Sequence, residues 1–236
     1  MAVQKIFKRY EYKYMLTSQQ KAKLLQLMEA YMKPDEFGRS TICNLYFDTP
    51  QYLLIRRSIE NKVYKEKIRL RTYGRAEASS EAFIELKKKY KKVVYKRRIC
   101  TDYEDAVNYL CKGQDCVGHS QITAELDYAL KMYEGIRPVM YLSYEREAFY
   151  GKEDHELRIT FDQNILWRTE ELDLKSPVYG RPLLTEGQSL MEVKVGHAVP
   201  LWLSRFLAEN KIYRTSYSKY GNAYRTMMRE GELNYA

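Results

Sequence analysis

Charged residues recur at every second position along several segments, and this alternation restricts the folds open to the chain more than any other feature. Successive side chains of a β-strand point to opposite faces of the sheet, so residues two apart share a face. In segment 63–73 the cations share one face, and Ile68 and Leu70 lie on the other. The cations of this segment are Lys65, Lys67, Arg69 and Arg71. The pattern predicts a strand with one charged face and one apolar face.

Most other strand-like segments show the same alternation. The predicted strands are 3–14, 40–48, 63–73, 82–90, 92–99, 138–149, 156–164 and 190–195. Their charged residues on the matching face are Arg9, Glu11, Lys13, Glu85, Lys87, Lys89, Lys96, Arg98, Arg158, Asp162, Glu192 and Lys194, and Arg146 follows Leu142 and Tyr144 along its own strand. A single strand over 82–99 would be roughly three times the usual length, so a reversal is predicted near Tyr90–Lys92.

Helical patterns fill the gaps between the predicted strands. The predicted helices are 18–32, 101–110, one capped by Ser120, one from Pro200 to Asn210, and one at the C-terminus. Residues Thr101 to Glu104 read as a capping box. A sheet this wide is expected to curl or close, and about eight closed strands leave room for one slender ligand. We therefore predict a single α+β domain over 1–236, a closed antiparallel eight-stranded β-tunnel with helices packed outside.

The charge balance favours an anionic partner. Forty Lys and Arg against 31 Asp and Glu give a formal net charge of +9. Buried cations must be paired or bound to an anion, and the inward carboxylates are too few to neutralise the inward cations. Arg binds phosphate oxygens two at a time and Lys acts as a point charge, so the mixture suits a repeating phosphate chain. No long apolar run and no nucleic-acid-binding motif are found, so we expect a cytoplasmic chain without a transmembrane segment or nucleic acid partner.

Nine segments, in order along nearly the whole chain, resemble the VTC domain, the polyphosphate polymerase branch of the triphosphate tunnel metalloenzymes. Each segment is weak alone, and the ordered set is specific. The segments are Arg9-Tyr-Glu11-Tyr-Lys13-Tyr14, Leu45-Tyr-Phe-Asp48-Thr49, Lys67-Ile-Arg69-Leu-Arg71-Thr-Tyr-Gly74, Phe83-Ile-Glu85-Leu-Lys87, Lys96-Arg-Arg98, Tyr144-Glu-Arg146, Arg158-Ile-Thr-Phe-Asp162, Met191-Glu192-Val-Lys194 and Ser218-Lys219-Tyr220.

The resemblance implies the tunnel fold and transfer of the γ-phosphoryl group of ATP to a growing inorganic polyphosphate chain. The catalytic residues that it implies are Arg69, Arg71, Lys87, Arg146, Arg158 and Lys219. The substrate-binding residues that it implies are Arg9, Lys13, Lys67, Lys96, Arg98 and Lys194. The implied ligands of a Mn²⁺ or Mg²⁺ ion are Glu192, Glu11 and Glu85. The partners would be ATP and inorganic polyphosphate or triphosphate, and a membrane-protein partner stays open.

Two departures from the related proteins bear on the activity. Arg9 stands where tunnel hydrolases and cyclases carry the first Glu of Glu-x-Glu-x-Lys, which removes a metal-binding carboxylate and favours the polymerase branch. Ser216 stands where fungal polymerases tend to carry Lys, so the chain-binding end is expected to differ. The alternatives left open are a metal-dependent triphosphatase of the same fold and a non-catalytic module that binds polyphosphate or inositol phosphates.

Overall fold

The structure, a computed structural model, describes residues 10–61, 63–91 and 93–231. The strands are β1 (Tyr10–Thr17), β2 (Met32–Asp48), β3 (Tyr64–Tyr73), β4 (Glu81–Tyr90), β5 (Val93–Asp102), β6 (Arg137–Gly151), β7 (Arg158–Arg168), β8 (Arg181–Pro182), β9 (Gln188–Val195) and β10 (Arg214–Thr215). The helices are α1 (Ser18–Met28), α2 (Leu53–Glu60), α3 (Tyr103–Lys112), α4 (Gln121–Met132), α5 (Leu201–Glu209) and α6 (Lys219–Arg229). None of these helices combines the length and apolar content that crossing a membrane requires. The predicted site residue Arg9 lies outside the described residues, as does Lys92.

The sheet corrects the predicted tunnel in two respects. The described strands form one ten-stranded sheet in the order β10-β1-β9-β7-β6-β2-β3-β4-β5, and β8 pairs with β7. The prediction of eight strands was wrong because β8 and β10 have two residues each, too few to leave an alternating pattern. The prediction of closure was wrong as well, since this order of described strands is open. Alternation reveals the two faces of a strand, but it does not reveal whether the outermost strands pair.

All eight predicted strands have a counterpart among the described residues, although 3–9 of the predicted strand 3–14 lie outside them, and the predicted helices are present with changed boundaries. The predicted reversal separates β4 from β5, with Tyr90 opposite Val93 and Lys91 in the left-handed region at a φ of 54°. Ser120 caps α4 through a reciprocal pair of hydrogen bonds with Thr123. Helix α1 ends at Met28 instead of residue 32, because Met32 is already the first residue of β2.

The predicted capping box over Thr101–Glu104 was wrong. Thr101 pairs with Ala82 and so remains in β5, and Asp102 becomes the N-cap residue of α3. Strand pairing therefore extends one residue further than the cap pattern indicated. Helix α2 was not predicted, because its capping group is the carboxylate of Asp48, which lies several residues before the usual N-cap position.

The chain divides into two compact units. Unit 1 contains the described residues of 10–40, 145–164 and 184–217, and unit 2 contains those of 41–144, 165–183 and 218–231. The prediction of a single domain stays a prediction.

In each unit, helices cover the apolar face of the sheet. In unit 2 the core contains Ile68 and Leu70 of β3 and residues of β4, α3 and α4. In unit 1 it contains Val193 of β9 and Ile159 of β7, together with residues of α1 and α5. Burying these side chains removes apolar surface from water and leaves the charged residues of the same strands on the opposite face. Apart from Lys219 of α6, the described candidate site residues lie on those charged faces.

Candidate functional site

The charged face of unit 2 is built from β3, β4 and β5, whose register places lysines side by side. Lys67 lies opposite Lys87, and Lys87 lies opposite Lys96. One step further along, Lys65 lies opposite Lys89. Burial, followed by the charges of Lys89 and an arginine of α6, lowers the pKa of Lys65. Directly opposed like charges destabilise a sheet, so these rows favour the binding of an anion.

Next to the lysines, on the same face of the sheet, Glu85 is surrounded by arginines. The Oε2 atom of Glu85 accepts from Nε of Arg69 at 2.5 Å, and its Oε1 atom accepts from Nη2 of Arg98 at 2.6 Å and contacts Nζ of Lys96 at 2.7 Å. Nε of Arg71 lies 3.8 Å from Oε2. Burial alone would raise the pKa of Glu85, but Arg69, Arg71 and Lys96 hold it well below its usual range. Glu85 is thus the counter-ion of four cations, with both oxygens engaged.

Polar residues of β2 and β6 fix the arginines in place. Nε of Arg71 donates to Oδ1 of Asn44 at 3.0 Å, and its Nη2 donates to the hydroxyl of Tyr144 at 3.1 Å. Nη1 of Arg69 donates to the hydroxyl of Tyr46 at 3.4 Å. Sequence reasoning missed Asn44 and Tyr46, although their alternation with Leu45 and Phe47 already places them on the charged face.

The beginning of α6 adds Lys219 to this unit. Nζ of Lys67 donates to Oγ of Ser218 at 2.8 Å, and Ser218 caps α6 by accepting from the backbone N–H of Gly221. Nζ of Lys219 lies 4.5 Å from the centroid of the Tyr144 ring. Lys67, Arg71 and Lys219 therefore belong to one connected group, in which Tyr144 contacts both Arg71 and Lys219.

Asp48 holds the first turn of α6 and the first turn of α2 together. Its carboxylate accepts from the backbone N–H groups of Thr49, Leu54 and Ile55 at 2.8 to 3.0 Å, and from the hydroxyl of Tyr220 at 2.9 Å. The N–H groups of Leu54 and Ile55 are among those that a helix N-terminus leaves unsatisfied. Asp48 thus caps α2 from six and seven residues upstream while it binds the residue after Lys219.

The charged face of unit 1 places cations and carboxylates of β1 and β9 side by side. Nζ of Lys13 lies 3.1 Å from Oε1 of Glu192 and 3.4 Å from Oε1 of Glu11. Lys194 lies opposite Glu11 in the register, with its Nζ 3.9 Å from Oε2. Two carboxylates therefore share one ammonium group. Burial lowers the pKa of Lys194, and Glu11 and Glu192 offset this in part.

Strand β7 supplies Asp162, the carboxylate of a buried ion pair with an arginine of β6, and two polar atoms that lack partners. Arg146 of β6 binds Asp162 through two hydrogen bonds of 2.6 and 2.7 Å and reaches Glu192 at 3.3 Å. Within the described residues, Nε of Arg158 and Oγ1 of Thr160 are buried without a hydrogen-bond partner. Buried polar atoms are nearly always bonded in native proteins. These two atoms lie on one face of β7, and each could donate a hydrogen bond to an oxygen atom of a ligand.

The structure thus sorts the predicted site residues into two groups. The group in unit 2 contains Arg69, Arg71, Lys87, Lys219, Lys67, Lys96, Arg98 and Glu85. The group in unit 1 contains Arg146, Arg158, Lys13, Lys194, Glu192 and Glu11.

Among residues 10–61, 63–91 and 93–231, no three His, Cys, Asp or Glu side chains converge as a metal cluster. Glu11 and Glu192 still suit a hard divalent ion, because Mg²⁺ commonly uses one or two carboxylates plus substrate phosphates. The geometry does not favour Glu85 as a metal ligand.

Comparison with known proteins gives a family and a fold. The sequence model of the VTC domain matches residues 8–228. A structure from Bacillus halodurans, assigned as an adenylate cyclase, has a TM-score of 0.56 at 12% identity and covers 88% of this chain and 92% of its own. A Hippeastrum structure, assigned as an adenylyl cyclase and described as revealing a dominant triphosphatase activity, has a TM-score of 0.56 at 15% identity and covers 95% of this chain and 97% of its own. No curated protein matches the sequence.

Proposed function

The chain belongs to the VTC domain family, and we propose from this premise that it is an ATP-dependent polyphosphate polymerase. The observation that carries the proposal is the row of opposed lysines, Lys67, Lys87 and Lys96, beside the arginines around Glu85. A linear anion with many oxygens would neutralise both rows, and a polyphosphate chain is such an anion.

The chemistry would be transfer of the γ-phosphoryl group of ATP. An oxygen of orthophosphate or of a chain end bonds to the γ-phosphorus, the bond from the γ-phosphorus to the β,γ-bridging oxygen breaks, and ADP leaves. Phosphate oxygens are already ionised at neutral pH, so no general base has to remove a proton. Positioning and neutralisation of the phosphate charge by Arg and Lys would then provide most of the rate acceleration.

We assign a divalent ion, Mn²⁺ or Mg²⁺, to the two carboxylates of unit 1 that share the ammonium of Lys13. These are Glu192, which is 7% exposed, and Glu11 on the neighbouring strand. When bound, such an ion neutralises phosphate oxygens. Arg146 orients Glu192 from the other side, through its 3.3 Å contact.

The test is incubation of the purified protein with ATP and Mn²⁺, followed by electrophoresis that resolves phosphate chains by length. The proposal predicts chains that lengthen with time while ADP accumulates. Release of orthophosphate without chains would identify the triphosphatase alternative. Triphosphatase activity is the one described for the Hippeastrum structure. Binding of polyphosphate without any consumption of ATP would identify a non-catalytic module.

Lys87→Gln is expected to separate ligand binding from folding. The change alters the charge of an exposed side chain, so the free energy of unfolding without ligand should stay within about 1 kcal/mol of that of the unaltered protein. The affinity for tripolyphosphate should fall by about tenfold, because one charge-assisted contact is lost. Isothermal titration and urea unfolding measure the two quantities. Lys131→Gln, an exposed lysine on α4, is the matched control, and an equal loss of affinity in both variants would contradict the assignment.

Glu192→Gln is expected to reduce turnover more than it weakens phosphate binding. Glutamine keeps the size of the side chain but removes the charge that a hard divalent ion requires. The Mn²⁺ concentration that gives half-maximal rate should rise by about tenfold or more. Rates measured against Mn²⁺ concentration provide the check, and an unchanged titration would remove Glu192 from the metal site.

A further inference from the structure

The apolar face of the β4–β5 hairpin extends beyond the helices that cover it. Leu86 of this face is fully buried in the core of unit 2. Nearer the turn, Tyr90, Val93 and Tyr95 on the same face are 50%, 54% and 47% exposed. Tyr90 and Val93 are directly opposed in the register, so their side chains lie together. Three large apolar side chains therefore face solvent at one end of the hairpin.

This exposed end is cationic. Close to the turn, the described chain carries Lys88, Lys89 and Lys91, and of these Lys88 has its Nζ 3.4 Å from Oε1 of Glu66. Lys91 is exposed at the turn, and its Nζ lies 5.5 Å from the centroid of the Tyr90 ring. We name the four residues Tyr90, Lys91, Val93 and Tyr95 the outer tip.

We propose that the outer tip docks onto a bilayer surface that contains anionic phospholipids. Tyrosine rings are enriched at the level of lipid headgroups, where the ring is partly buried and the hydroxyl stays hydrated. A clustered set of lysines is attracted to the negative surface of such a bilayer. Val93 and the two rings would lose exposed apolar area on contact, as the apolar sides of interfacial segments do.

The exposed apolar side chains favour a lipid surface over a free phosphate chain. A hydrated polyanion is bound by cations and gains nothing from the burial of a valine or a tyrosine ring. The residues proposed above to bind phosphate, Lys87 and Lys96, lie on the opposite face of the hairpin, since alternation separates them from the outer tip. The bilayer proposal therefore stands independently of the proposed polymerase.

The test is co-sedimentation of the protein with phosphatidylcholine vesicles, with and without phosphatidylserine. The structure leads us to expect binding only to vesicles that contain phosphatidylserine. The double variant Tyr90→Ser, Tyr95→Ser should bind these vesicles about tenfold more weakly than the unaltered protein. Its affinity for tripolyphosphate should not change, which shows that the variant is folded and that the opposite face is intact.

Tyr213→Ser is the matched control, because Tyr213 is 78% exposed and lies outside the hairpin. It should bind the phosphatidylserine vesicles as the unaltered protein does. The proposal is overturned if the protein does not sediment with phosphatidylserine vesicles, or if the double variant and the control bind equally well. It is also overturned if tripolyphosphate displaces the protein from the vesicles completely, because the phosphate-binding face would then hold the headgroups.

Discussion

Glu85→Gln is expected to lower the free energy of unfolding of the unliganded protein by about 3–5 kcal/mol, the usual effect of removing one partner of a buried ion pair. Glu85 is 1% exposed and is the counter-ion of four cations. Glutamine fills the same volume without a charge and leaves those cations to repel one another. Tripolyphosphate should therefore raise the melting temperature of the variant more than that of the unaltered protein.

The matched control is Glu125→Gln. Glu125 also pairs with an arginine of β5, Arg97, but both side chains are about a third exposed. An exposed pair of this kind contributes about 1 kcal/mol or less. Equal melting temperatures of the Glu85 variant and the unaltered protein, without ligand, would contradict the role given to Glu85.

The difference in free energy of unfolding between the unaltered protein and Glu85→Gln should depend on pH, because the pKa of Glu85 is lowered in the folded state. A carboxyl whose pKa is lower in the folded state stabilises the protein above the pKa of the unfolded chain, about 4.3 for Glu. That stabilisation is lost as the pH falls through the folded-state value. The stability advantage of the unaltered protein over Glu85→Gln should therefore be full near neutral pH and should shrink below about pH 4.

Asp48→Ala is expected to lower the free energy of unfolding by about 4 kcal/mol, because four hydrogen bonds to one buried carboxylate are lost together. The N–H groups of Leu54 and Ile55 lose the acceptor that caps α2, and Tyr220 loses its contact to β2. Since Tyr220 follows Lys219, chain synthesis should also fall at temperatures where the variant is still folded. Urea unfolding and the rate of chain synthesis are the two measurements.

Asp48→Asn separates capping from charge. An asparagine oxygen can still accept from Thr49 and Leu54, whereas the amide nitrogen cannot accept from the N–H of Ile55. We expect this variant to lie between Asp48→Ala and the unaltered protein. If alanine at position 48 changed neither stability nor synthesis, Asp48 would not be the residue that positions the start of α6.

The two faces of the strands could be predicted from the sequence, because alternation is a local property. Ile68 and Leu70 are buried as predicted, and the neighbouring cations lie on the other face. Helix α2 could not be predicted in this way. Its N-cap Tyr52 has a left-handed backbone with a φ of 56°, and its capping carboxylate belongs to Asp48, outside the helix.

The roles of individual charged residues depend on cross-strand register, which alternation does not provide. Glu85 and Glu192 look equivalent in the sequence, since each is a carboxylate among cations on the charged side of its strand. In the structure, Glu85 binds four cations, whereas Glu192 shares the ammonium of Lys13 with a second carboxylate, Glu11. Only the pairing partners distinguish a counter-ion from a candidate metal ligand.

The binding of a phosphate chain by the charged face is tested most directly by the dissociation constants of phosphate chains of increasing length. From Lys65 to Arg71, the cation rows extend along β3 for about 20 Å, at about 3.3 Å per residue. Orthophosphate, pyrophosphate, tripolyphosphate and longer chains are titrated in turn by calorimetry. We expect the affinity to rise with each added phosphate until the chain spans these rows. If the affinity stops rising at pyrophosphate, the charged face does not bind an extended phosphate chain.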